Sequence, residues 1–198
     1  MPKNTPMMRQ YRTIKEKNPD CLLFFRLGDF YELFGDDAVT ASRELDLVLT
    51  TRDRGAPEDE RIPMCGVPYH ASETYIARLV SRGYRIAVCE QLEDPKSAKG
   101  LVDRDVIRIV TPGTVTESSI LDEGISNYLA AVYVSEDDGA ICYADISTGE
   151  MAVLPVPSGN PQKLRNALAV ISPREAVLGG RAAHDSALLD FMQSKLNC

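Results

Sequence analysis

The sequence predicts an α/β chain in two parts. A mixed-sheet domain is expected over residues 1–112, then a linker over 113–127, then a second, incomplete domain over 128–198. Three observations predict this. Up to Val110, short apolar runs rich in aromatic and β-branched residues alternate with segments whose apolar residues recur at helical spacing. After Thr111-Pro112-Gly113 the composition shifts, and residues 115–127 carry no clear period. Beyond them, strand-like runs follow one another with only turns between, as in a meander.

Each element has its own signal. Thr5-Pro6 starts a helix, since Thr caps and Pro suits the first helical position. Met7, Tyr11 and Ile14 keep helical spacing, and Asn18-Pro19 stops it. Cys21–Leu27 reads as a buried strand, Gly28-Asp29 punctuates it, and Phe30–Phe34 resumes extended structure. Asp36-Asp37 is read as the cap of a helix carrying Ala38, Ala41 and Leu45, and Leu47–Thr50 as a strand. The polar run 53–61, with Gly55 and Pro57, is loop. Ala71, Tyr75, Ile76, Leu79 and Val80 mark the next helix face, stopped by Gly83. Arg85–Cys89 and Val106–Val110 are strands around the polar loop 91–100. In the second part, strands are expected at 128–134, 140–146 and 151–156. A helix with Leu164, Leu168 and Ile171 follows, then a strand at 176–178, then a helix with Leu188, Leu189, Met192 and Leu196. The chain stops on that apolar-faced helix, which reads as an interrupted domain.

Composition narrows the class. The 44% hydrophobic and 26% charged fractions are those of a globular chain. No stretch approaches the roughly 18 apolar residues of a membrane span, and no apolar run follows the N-terminus as in a signal peptide. Five widely spaced cysteines without a CxxC pair indicate neither a zinc site nor a disulfide framework, so a cytoplasmic location is expected. The net charge of −7 is unevenly spread. Residues 1–112 hold 17 Lys+Arg against 18 Asp+Glu, and residues 113–198 hold 5 against 11. Phosphate contacts need clustered basic side chains, so nucleic-acid binding is plausible for the first part alone.

Signals for catalysis are weak, and no catalytic residue or metal ligand is assigned. There is no GxxxxGK[ST] phosphate loop and no GxSxG elbow. His70, at a helix start, reads as a packing or capping residue, and His184 stands far from it. Cys65 and Cys89 lie in apolar runs and read as inert thiols. Asp145, followed by Ser147-Thr148-Gly149, would suit a metal-dependent nuclease. Glu175, Asp185 and Asp190 lack a spacing that would complete such a site, so a polar hairpin turn is preferred.

The sharper feature is in the first part. On a strand, Phe30 and Glu32 share one face while Tyr31 and Leu33 share the other. If Tyr31 and Leu33 pack inward, an aromatic and a carboxylate stand exposed side by side. An exposed Phe wedges between base steps from the minor groove, and a carboxylate accepts one hydrogen bond from a base while repelling phosphates. From pattern alone, burial of Phe30 in a core is the preferred reading.

The motifs then resemble a known family. Thr5-Pro6-Met7-Met8 with Gln10-Tyr11, the run Leu22–Phe34, Asp36-Asp37-Ala38, Leu45-Asp46, Ile62–Ala71, Cys89-Glu90-Gln91, Asp94-Pro95, Lys99-Gly100 and Arg108–Thr114 occur in order. Together they resemble the N-terminal part of the bacterial MutS mismatch-repair family. They cover about residues 5–114, and the rest is similar mainly through Ala144–Gly149.

The resemblance implies a mismatch-recognition domain at 1–112 and the start of a ribonuclease-H-like connector domain at 128–198, which in the family is not a nuclease. It implies that Phe30 stacks on a mispaired base and that Glu32 hydrogen-bonds it. It also implies that Met64 lies in a loop near the DNA, with Arg104 and Arg108 as backbone contacts and Arg52, Lys96 and Lys99 as further candidates. The implied partners are mismatched duplex DNA, the remaining domains, a second subunit and a MutL-type repair protein. ATP and Mg belong to an ATPase domain outside this chain, so no cofactor and no enzymatic activity are expected of it. A protein-interaction module, or a nuclease around Asp145, is the alternative.

Overall fold

The computed structural model describes residues 5–51, 57, 61–93, 100–116, 121, 124–157 and 159–198. It separates into two units, Met1–Val110 and Thr111–Cys198. No described helix is long and apolar enough to cross a membrane.

The first unit opens with α1 (Pro6–Lys17), where Thr5 Oγ1 accepts from Met8 N at 3.3 Å. Strands β1 (Cys21–Leu27) and β2 (Phe30–Phe34) form a hairpin that runs into α2 (Gly35–Leu45). Then come β3 (Thr50–Thr51), β4 (Pro63–Pro68), α3 (Ser72–Val80), β5 (Arg85–Gln91) and β6 (Arg104–Val110). The sheet order is β3-β4-β2-β1-β5-β6, with β1 and β5 parallel and the other neighbours antiparallel.

Helix α1 covers one face of this sheet. Met8, Tyr11 and Ile14 pack on Cys21, Leu23, Phe25, Phe34, Ala87 and Cys89. The Tyr11 ring sits edge-on to Phe25 and Phe34, with centroids 5.5 and 5.0 Å away. Phe24, Leu33, Cys65, Val67, Ile86 and Val88 face the other way and are buried with the inner sides of α2 and α3. Burying each of these larger apolar side chains contributes about 1.5–3 kcal/mol.

Three expectations need correction. Asp36 and Asp37 do not cap α2: they sit in its first turn, and Phe34 holds the capping position without a side-chain bond. Asp37 is buried and reaches across to β1, where it accepts from Leu23 N at 3.0 Å, and to α1, where it accepts from Lys15 Nζ at 2.9 Å. Leu47–Thr50 is not a strand. Asp46 takes a left-handed cap, Leu47 N returns to Ser42 O, and Val48 is 85% exposed, so only Thr50–Thr51 pairs. Strand β4 was not expected: the pattern assigns no element to residues 62–70, where Pro63, Gly66 and Pro68 break up a strand signal.

In the second unit, a short 3-10 turn at Pro112–Thr114 is closed by a capping box between Thr111 and Thr114. The start of the expected linker is therefore packed: Gly113 and Val115 are buried, and Gly113 N donates to Glu175 at 3.2 Å. The unit continues with β7 (Tyr128–Val134), β8 (Asp138–Asp145), β9 (Glu150–Pro157), α4 (Pro161–Ile171), β10 (Glu175–Gly180) and α5 (Ser186–Phe191). A π-helical turn follows at Met192–Leu196. The sheet order is β10-β7-β8-β9, with β10 and β7 parallel. Leu164, Leu168, Ile171, Leu188 and Met192 pack on Ala130, Val132, Ile141 and Val156.

Asp145 ends β8 and is 3% exposed. Its Oδ1 accepts from Ser147 N at 2.9 Å, Ser147 Oγ at 2.6 Å and Thr148 N at 3.3 Å, and Oδ2 accepts from Asn127 N at 2.8 Å. Oδ1 thus closes the turn after β8, and Oδ2 ties it to the residue before β7. These donors, the Ser147 hydroxyl first, hold its pKa below the ordinary aspartate value. A lowered pKa stabilises above the unfolded value, about 4, and the gain disappears as pH falls through the folded value. Asp145→Ala is expected to cost about 2 kcal/mol at pH 7, by orphaning several donors. The gap between the urea midpoints of wild type and variant is expected to narrow as pH falls below about 4.

Candidate nucleic-acid interface

The hairpin β1–β2 turns on two residues, Gly28 and Asp29. Gly28 has φ +59° and Asp29 a negative φ, the pattern of a type II′ turn, which glycine enters at little cost. Phe30 is the first residue past the turn and pairs with Leu27 on one side and Pro68 on the other.

Along β2, exposure alternates. Phe30 is 47% exposed and Tyr31 5%, Glu32 is half-buried, and Leu33 is buried. Phe30, Glu32 and Phe34 share the α1 face. Phe34 lies under α1, whereas Phe30 projects beyond its cover at the hairpin tip. The pattern-only reading of Phe30 as core is overturned, and the side-by-side aromatic and carboxylate are present. Glu32 stands between Phe25 and Gly66 on neighbouring strands. A Cβ at Gly66 would press to 3.2 Å from Tyr31 O, while its 3.6 Å approach to Glu32 Cγ would be an ordinary contact, so the glycine spares the backbone of β2.

The other candidates are placed differently. Met64 lies in β4 and not in a loop. It pairs with Phe34 and packs at the margin of the α1 cluster, on the face of Phe30 and Glu32. Arg104 is 8% exposed, with Nε donating to Arg26 O at 2.8 Å and Nη1 to Val102 O at 2.8 Å and Gln10 Oε1 at 3.1 Å. Its guanidinium lies over the Phe25 ring at 5.2 Å, on the α1 face. Arg108 pairs with Glu73 of α3, on the opposite face. Arg104 and Arg108 are four residues apart and would share a face in a regular strand. A bulge opposite Val88/Cys89 inserts one residue and sends them to opposite sides. Arg52, Lys96 and Lys99 lie outside the described residues.

A second cluster lies behind the hairpin and was not singled out from the sequence. Glu90 on β5 accepts from the Tyr31 hydroxyl and from Arg26 Nη1, the latter at 3.2 Å. The Arg26 guanidinium stacks on the Tyr69 ring at 3.7 Å. Burial, then the Glu90 carboxylate, pushes the Tyr31 hydroxyl up to about 12, so it stays a neutral donor. Cys65 and Cys89 are raised by burial to about 11 and about 12, as inert thiols should be.

Comparison with known proteins fits this geometry. Residues 5–119 match the MutS domain I family and residues 127–197 the MutS domain II family. The DNA mismatch repair protein MutS of Acetivibrio thermocellus is 51% identical over 194 residues, 98% of this chain and 22% of that protein. That of Carboxydothermus hydrogenoformans is 56% identical over 176 residues, 88% of this chain and 20% of that protein. That of Clostridium botulinum strain Hall is 61% identical over 146 residues, 74% of this chain and 16% of that protein. The chain thus spans about a fifth of the length of these relatives. With domain I matched over more than half its residues and domain II behind it, the chain belongs to the MutS family.

Proposed function

We propose that the first unit recognises mispaired or unpaired bases in duplex DNA during mismatch repair. Phe30 inserts from the minor groove at a kinked step, and Glu32 hydrogen-bonds the displaced base. The observation that carries this is the exposed Phe30 at a hairpin tip, with Glu32 beside it on the same strand face. A mispaired step stacks and pairs poorly, so kinking it costs less than kinking a matched one. Inserting an apolar wedge costs a few kcal/mol of unstacking, least where pairing is already broken. Preference then arises from deformation cost, without reading sequence. Met64, on the same face, suits contact with the groove wall, while Arg104 serves its own chain's carbonyls.

The wider assembly follows the same reading. ATP and Mg are assigned to an ATPase domain of the longer relatives, the site of action to the cytoplasm, and a second subunit and a MutL-type protein to the partner set. The second unit, read as the connector, suits protein contact. It is acidic, and Ala131, Tyr133, Met151, Val153 and Val177 stand exposed on the sheet face away from α4 and α5.

The test is a fluorescence-anisotropy titration of the chain against two duplexes that differ by one G·T mispair, at low salt. Tighter binding to the mispaired duplex is expected, and equal binding removes the reading. Glu32→Ala is expected to lower that preference about tenfold, or ~1.4 kcal/mol, without weakening matched binding. Unchanged affinity for both duplexes would remove Glu32 from the mechanism.

A further inference from the structure

The wedge reading leaves a mechanical question. Phe30 sits one residue past a two-residue turn, and unstacking a base step pushes back on it. A hairpin tip held only by its own strand pair would yield, and the preference would shrink with it. Rigid placement before contact removes that loss, because the ordering entropy is spent in folding and not in binding.

The hairpin is held from behind. Tyr31, the residue after Phe30, turns its ring to the opposite face, near Phe24 at 6.0 Å between centroids. Its hydroxyl is tied to Glu90 on β5, two strands away in the sheet. Arg26, directly opposite Tyr31 on β1, donates to the same Glu90 oxygen and through Nε to the carbonyl of Gly28 in the turn. Glu90 Oε2 is occupied by Gln91 N at 3.3 Å, so both carboxylate oxygens are engaged. Tyr69 closes the arrangement: its ring carries the Arg26 guanidinium, and its backbone N donates to Asp29 O at 2.9 Å. Both turn residues are therefore bonded to groups outside the strand ladder. The peptide bearing Phe30 lies between two anchored residues, Asp29 and Tyr31.

We propose that Arg26, Tyr31, Tyr69 and Glu90 form a positioning clamp that holds the β1–β2 tip rigid, so that Phe30 transmits its full wedge force to the base step. None of the four need touch DNA. The proposal rests on the wedge reading of Phe30, and it assigns specificity to the sheet face opposite the one that meets the duplex.

Two variants probe the clamp lightly. Tyr31→Phe removes one hydroxyl and keeps the buried ring. Glu90→Gln keeps the shape and one acceptor but removes the charge that holds Arg26. Amide hydrogen exchange on the whole chain without DNA is read first. Exchange at Phe30 and at Tyr69, whose N–H is bonded to Asp29 O, is expected to rise at least tenfold in Glu90→Gln and at least threefold in Tyr31→Phe, with Leu23 and Val88 within twofold of wild type. Anisotropy titrations are read second. The mispaired-to-matched affinity ratio is expected to fall at least threefold in both variants while matched binding holds. A merely structural role would speed exchange at Leu23 and Val88 as well and weaken both duplexes alike. Unchanged exchange at the tip in both variants overturns the clamp, whatever the DNA result. Faster exchange with the wild-type ratio retained overturns its part in specificity. Equal binding of both duplexes by wild type and by Phe30→Ala overturns the wedge reading instead, and the exchange arm still decides whether the clamp exists.

Discussion

Phe30→Ala is expected to bring the affinity ratio between mispaired and matched duplexes to about one, with the fold intact. The ring is half exposed at a hairpin tip, and little core packing is lost with it. A base–aromatic stack is worth about 1–3 kcal/mol, which corresponds to roughly 5- to 150-fold in affinity. Matched binding and its salt dependence should stay near wild type, since phosphate contacts set both. Paired titrations at two salt concentrations, with a melting curve for the variant, check each part. A variant that keeps its preference would remove the wedge outright.

Asp37→Ala is expected to give the largest loss of stability among polar substitutions in the first unit. Asp37 takes up a backbone N–H that the sheet cannot satisfy, because β2 ends at Phe34 opposite Leu23 and the chain turns into α2. It also anchors Lys15, which in turn donates to Cys21 O at 2.6 Å. Removing the carboxylate leaves the buried Leu23 donor without an acceptor and a partly buried ammonium with only backbone carbonyls to face, at a cost of about 2–4 kcal/mol. With an m-value of about 1–3 kcal/mol/M, the urea midpoint should fall by roughly 1–2 M. Asp37→Asn keeps an acceptor for Leu23 and should cost about 1 kcal/mol. Equal and small effects of the two substitutions would refute this account of the site.

Much of this architecture was legible in the residues. Thr5-Pro6 marked the start of α1, and the period of two through Phe30–Phe34 placed Phe30 and Glu32 on one face. The period could not say which face meets solvent, because that depends on how far α1 reaches, a tertiary fact. Strand β4 was hidden by its own prolines, which a strand near a sheet edge tolerates at its ends. Leu47–Leu49 looked like a strand because apolar runs do, yet a left-handed Asp46 diverts the backbone and leaves Val48 in solvent. The bulge in β6 was invisible too, and with it the separation of Arg104 from Arg108. The clamp was the hardest to see: Arg26, Tyr31, Tyr69 and Glu90 each had a bland local reading, and the register between β1 and β5 brings them together.

That register has a kinetic consequence. The β1–β2 hairpin closes over two residues, whereas β1 meets β5 only after Cys21 finds Arg85 far along the chain. Hairpins close in about 1–10 μs, while parallel pairing of distant strands waits on a costly loop closure. A nascent or partly folded chain would therefore carry the Phe30 tip before Glu90 arrives behind it. Such an intermediate displays an aromatic finger on a loose hinge, able to stick to apolar surfaces but unable to press on a base step. Completion of the sheet converts that finger into a tool, and the long-range pairing of β1 with β5 is also the one that makes it discriminating.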